Sequence, residues 1–116
     1  MLEKPAFIQG LFTWEGEGLD KPRKLGNRAI YQVPADRRAQ TIYLRAGNSC
    51  SEMVYLILTA GGKTLRLFPV GAKAAVHVPL AVLEDLAPAS KVEILLAAPA
   101  GLSGSLILDA GFMEID

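Results

Sequence analysis

The stretch MVYLILTAGGKTLRLFPV, residues 53–70, sets two runs of aliphatic, aromatic and β-branched residues on either side of Gly61 and Gly62. Glycine enters positive φ without a Cβ clash, so a Gly-Gly pair between two extended runs predicts a tight hairpin turn. The reading matters for the fold because the same period-2 texture recurs on both sides. In AFIQGLFTW, residues 6–14, the odd positions carry Phe7, Gln9, Leu11 and Thr13, and the even ones carry Ile8, Gly10, Phe12 and Trp14. Such alternation suits a strand whose even face is the more apolar. RAIYQVP (28–34), QTIYLRA (40–46), KAAVHVPL (73–80), KVEILLAA (91–98) and SLILDAGFMEI (105–115) read as further strands, about eight in all.

Helix is nearly excluded. LAVLEDLAP, residues 80–88, has room for at most one or two helical turns before Pro88 stops it. Parallel α/β architecture requires crossover helices that the chain does not supply. Many short strands with Gly and Pro between them predict an all-β fold, an antiparallel two-sheet sandwich of the jelly-roll kind. Residues 15–27, EGEGLDKPRKLGN, form the longest polar connection and read as a mobile loop.

A length of 116 residues predicts a single domain over 1–116. Twelve Lys and Arg balance twelve Asp and Glu, so there is no net field to draw in nucleic acid or an anionic membrane. The opening MLEKPAFIQG lacks the basic start and continuous apolar run of a secretory signal, and the single Cys50 cannot close an internal disulfide, which together predict a cytoplasmic protein. Hydrophobic residues make up 51% of the chain and mean hydropathy is +0.29. That is high for a small domain and leaves apolar surface for a partner to cover. Charge is segregated. Residues 21–45 hold seven basic side chains against Asp36 alone, and residues 74–116 hold six acidic ones against Lys91 alone. The segregation suits complementary contact between neighbouring strands or between subunits.

Catalytic material is sparse. The only histidine, His77, shares one side of its predicted strand, read as the outer one, with Ala75 and Pro79, while Val76 and Val78 face the other way. A metal at His77 would need partners from Cys, His, Asp or Glu; the sequence has no second histidine and no close-spaced ligand motif that includes Cys50, so no metal and no cofactor are expected. GNSCSEM offers Ser49, Cys50 and Ser51 as nucleophiles without an elbow or signature, and a Cys50–His77 pair is weaker than the plain reading of a partly buried thiol. The adjacent Glu84 and Asp85 diverge on any regular element, which argues against shared acid–base work. The glycines of APAGLSG lack the helix and lysine of a phosphate cradle.

The opening strand with Trp14, the long loop after it and the closing GLSGSLILDAGFMEI resemble the end-to-end strand layout of galactose-binding-like jelly rolls, the architecture of many carbohydrate-binding modules. The resemblance implies a two-sheet sandwich and permits a ligand role. Exposed rings stack on sugar faces. Trp14 is the aromatic residue beside the polar loop, with Asp20, Arg23 and Asn27 near it as candidate ligand-binding residues.

The composition therefore predicts a non-enzymatic interaction module that self-associates, by default as a dimer, or docks on a larger protein through an apolar sheet face. Tyr43 with Arg45 and Tyr55 with Ile57 are the candidate contact surfaces. A small-ligand or carbohydrate-binding domain is the alternative, and an enzyme the third reading. Stacked exposed rings would favour sugar; an apolar patch would favour assembly.

Overall fold

The structure, a computed structural model, describes residues 3–80 and 85–116. The expected helical turns at 80–88 and the Glu84 carboxylate fall largely outside the described residues; within them, Asp85 and Leu86 are extended. Ten strands form among the described residues, two more than the alternation predicted. They build two antiparallel five-stranded sheets around one core, the expected sandwich.

The first sheet joins β1 (Lys4–Glu15), β10 (Ser103–Ile115), β4 (Arg38–Asn48) and β7 (Ala75–Pro79) in that order, with β8 (Asp85–Leu86) also paired to β4. Its alternation is the one read from the sequence. Ile8, Phe12 and Trp14 of β1 turn inward, and Phe7, Leu11 and Thr13 turn out. The second sheet joins β2 (Gly18–Lys24), β9 (Lys91–Ala98), β5 (Val54–Ala60) and β6 (Lys63–Val70), with β3 (Ile30–Gln32) also on β9. As the middle strand, β9 is flanked on both edges, and its KVEILLAA sequence is buried almost throughout, as strands covered on both faces require.

The hairpin forms as predicted. Ala60 pairs with Lys63 across Gly61 and Gly62, whose φ values of 59° and 82° are the two positive angles of a type I′ turn.

The expected loop at 15–27 is corrected: its middle is strand β2. Gly18 pairs with Ala98, the next paired residue is Arg23 with Leu96, and the intervening residues arch away from the ladder. Pro22, which has no N–H to donate, lies in that arch. The Tyr55 hydroxyl donates to the Leu19 carbonyl at 2.5 Å and ties the arch to β5. The RAIYQVP strand is correspondingly shorter than predicted. Asn27–Ala29 is a 3-10 turn, and only Ile30–Gln32 is extended.

Charge segregation resolves within the chain. Arg45 pairs with Asp109, Arg38 with Asp85 and Arg37 with Asp116, so the basic segment lies against the acidic one on neighbouring strands.

Candidate functional site

The outer face of the first sheet carries three rows of side chains set by register. One runs Phe7, Gly111, Tyr43, Pro79; the next Gln9, Asp109, Arg45, His77; the third Leu11, Ile107, Gly47, Ala75. Phe7, Leu11 and Ile107 remain 52%, 58% and 64% exposed, and Leu11 stands beside Ile107 across the β1–β10 ladder. Large aliphatic and aromatic groups so placed form a patch on one face rather than scattered single residues.

Between the apolar rows lies a polar network centred on Asp109. Gln9 Nε2 donates to its Oδ1 at 3.0 Å, the Tyr43 hydroxyl donates to the same oxygen at 2.8 Å, and Arg45 donates to Oδ2 at 2.5 Å. Partial burial pushes the Asp109 carboxyl up, but the hydrogen bonds from Gln9, Arg45 and Tyr43, together with the Arg45 charge, outweigh it and hold the group below the usual carboxylate value. Tyr43 shifts the opposite way, raised by burial and by its bond to the Asp109 carboxylate, and Arg45 is raised chiefly by its bond to Asp109. The Arg45 guanidinium also lies 5.4 Å from the Tyr43 ring centre, and His77 meets that ring edge-on at 6.3 Å.

Two glycines shape this face. The Tyr43 ring occupies the space over Gly111, where an added Cβ would run into Cε2 and lie within 2.7 Å of Cδ2. Over Gly47 nothing lies within 4 Å, so the surface sinks into a hollow of about 520 Å³ bounded by Arg45, Ala75, His77, Ile107 and Asp109.

His77 stands on this outer face as the alternation implied, on the edge strand β7 opposite Arg45. Cys50 is in the buried core on the other side of the sheet, so the structure does not bring the two together as a pair. Among the described residues no group of three His, Cys, Asp or Glu is placed to hold a metal ion.

The four ligand-binding candidates are only partly gathered. Trp14 and Arg23 line an open groove of about 530 Å³ together with Thr13, Lys24, Ser103 and Ser105. Asp20 and Asn27 are exposed and lie outside that lining. Trp14 is only 6% exposed, its ring packed beneath Gly104, so it offers no open stacking face. Its Nε1 is buried without a hydrogen-bond partner among the described residues. Arg23 forms an ion pair with Glu17. Tyr31 is engaged as well. Tyr31 stacks on Phe112 with centroids 4.7 Å apart and donates to Glu114 at 2.7 Å; burial, then that carboxylate, pushes its phenol well above the ordinary value. The expected contact surface at Tyr55 and Ile57 is overturned, since Ile57 is 4% exposed and Tyr55 holds the β2 arch.

Sequence reasoning singled out Tyr43 and Arg45 but missed Gln9, Asp109 and Gly47 as their neighbours. The alternation carried Gln9 and Leu11 to the outer side of β1; the register that sets them beside Asp109 and Ile107 joins residues about a hundred positions apart.

No family model matches the chain, and no curated protein matches it by sequence. Solved structures do match in fold. A CBM36 domain of a multidomain xylanase from the hindgut metagenome of Trinervitermes trinervoides superposes with a TM-score of 0.58 at 13% identity, covering 95% of this chain and 96% of that one. A chain of infectious bursal disease virus, Gt strain, gives 0.54 at 15% identity over 97% of this chain and 32% of its own length. The insecticidal delta-endotoxin Cry8Ea1 of Bacillus thuringiensis gives 0.53 at 10% identity over 90% of this chain and 19% of its own length. The chain thus has the β-sandwich fold of a carbohydrate-binding module, and at these identities the likeness is one of fold.

Proposed function

We propose that the domain is a non-enzymatic interaction module that self-associates through the outer face of its first sheet. The exposure of Phe7, Leu11 and Ile107 on one face, Leu11 beside Ile107 and Phe7 across the polar row from them, carries this reading. A lone exposed leucine needs no explanation, whereas three large apolar groups on one broad face cost water contact that a partner would relieve. The second sheet also exposes Leu67, on its edge strand β6, and Leu19 in the β2 arch, but that arch is tied down onto β5 and Ile57 there is buried, so among the described residues no pair of large apolar groups stands side by side there as Leu11 and Ile107 do. The polar row within the patch supplies orientation, as charges at interfaces do.

Light scattering over a concentration series, with the protein beside its Leu11→Arg variant, tests this. The unaltered chain is expected above its monomer mass of 12.4 kDa, with the variant at that mass and still folded. A monomer mass at every concentration up to about 100 μM would sink the reading, since only weaker association escapes that range.

A second reading, small-ligand or carbohydrate binding, is favoured by one observation: the groove beside Trp14 presents Arg23, Lys24 and the hydroxyls of Thr13, Ser103 and Ser105 together. Glycan-array binding that weakens in both Arg23→Ala and Lys24→Ala, exposed residues of the groove lining, would support it. Binding that survives both would move the ligand elsewhere.

A further inference from the structure

Bulk is distributed unequally across the outer face. In the row nearest Gly47 the large apolar groups, Leu11 and Ile107, stand on β1 and β10, while β4 and β7 carry Gly47 and Ala75; the Phe7 row differs, with Tyr43 on β4 facing Gly111 on β10 and Ile42 of β4 exposed next to Tyr43. A twofold axis lying in the plane of contact and running along the strands between β10 and β4 would set β10 of one copy over β4 of the other. The same axis sets β1 over β7. The Leu11–Ile107 row and the polar row then each meet their complement. We propose that two copies of this chain pair about that axis, with Ile107 of each seated in the hollow over Gly47 of the other, a proposal that rests on the self-association reading above.

The hollow is open in the single chain, as nothing approaches within 4 Å of the place a Gly47 Cβ would take. Ile107 is the most exposed large hydrophobic group among the described residues and lies in the same row. Leu11 falls over the second copy's Ala75, and Phe7 over its Pro79. Asp109 falls over the second copy's Arg45, so each carboxylate gains a second cation.

An axis across the strands through the polar row would bring Ile107 over Gly111, where the Tyr43 ring already fills the space. It would also set Asp109 against Asp109 and Arg45 against Arg45, and like charges facing each other in a contact disfavour that arrangement. The molecule measures 47 × 23 × 22 Å, so a pair burying the roughly 800 Å² per partner of a stable interface would engage most of its long face, beyond the three rows described. Because the patch complements itself, the pair is closed and does not grow into a filament.

The test exchanges knob and hole between chains. Gly47→Leu fills the hollow and Ile107→Ala removes the knob; both positions are outside the core. Each variant alone is expected to dimerise at least about tenfold more weakly. An equimolar mixture should recover, because the new leucine of one chain meets the new alanine of the other while the native Ile107–Gly47 contact persists at the second position. A charge exchange gives an independent measurement. Arg45→Asp and Asp109→Arg each break the ion pair within their own chain, so recovery of dimer mass on mixing them requires a pair between chains. Unweakened single variants, or a mixture no tighter than its components, would overturn this pairing while leaving self-association intact. An unaltered protein that stays at monomer mass would overturn both.

Discussion

Gly111→Ala is expected to destabilise the fold by about 2–5 kcal/mol, against the usual benefit of replacing glycine in a strand. Gly111 is buried in β10 opposite Tyr43, and the phenol ring fills the place of its missing Cβ. The Cδ2 and Cζ atoms stand 2.7 and 2.8 Å from that point, so the whole ring must swing away. A forced overpacking of this kind costs about 1–3 kcal/mol. The swing also draws the hydroxyl from Asp109, a charge-assisted bond of about 1.5–3 kcal/mol that partial exposure reduces, and loosens the Arg45 contact, worth about 0.5–1 kcal/mol at such a site. Lower unfolded-chain entropy returns about 0.4–1 kcal/mol. Urea unfolding at one fixed low protein concentration, in a double-mutant cycle with Tyr43→Ala, separates these effects. With the ring absent, Gly111→Ala should cost nothing or stabilise by about 0.5 kcal/mol. An equal loss in both backgrounds, or no loss in either, would refute the packing argument.

Three further outcomes follow from particular side chains. The Asp109 carboxyl titrates lower in the folded chain than its ordinary 3.8, so its contribution is complete above that value and is lost as pH falls through the folded pKa; the stability gap between the protein and Asp109→Asn should therefore narrow as unfolding is measured from pH about 6 down to pH about 2.5. Replacing His77 by Gln should leave the unfolding free energy within about 0.5 kcal/mol, because the ring is exposed on an edge strand, and a larger loss would assign it a packing role. Leu96→Ala, at a fully buried position on β9 paired with Leu56, should cost about 2–5 kcal/mol in the same assay, and a loss below about 1 kcal/mol would show that the core collapses around the gap.

Period-2 patterning around Gly61 and Gly62 was legible because it is local. Alternation chooses the buried face of each strand, and two glycines at positive φ make the turn whatever surrounds them. Ile8, Phe12 and Trp14 turned inward on that ground, and His77 turned outward between Val76 and Val78. Strand β2 was not legible, because GLDKPRK has no alternation of its own; it is extended because β9 offers an edge to pair with and Tyr55 holds its arch. The candidate surface was hidden for a related reason. Gln9, Tyr43, Arg45, Asp109 and His77 come from four strands, and the hollow over Gly47 exists because Ile107 and Ala75 flank it in register. Local chemistry determines which way a side chain points from its own strand. Which side chains become neighbours depends on register and strand order, which the buried faces of both sheets set together when they close on a common core.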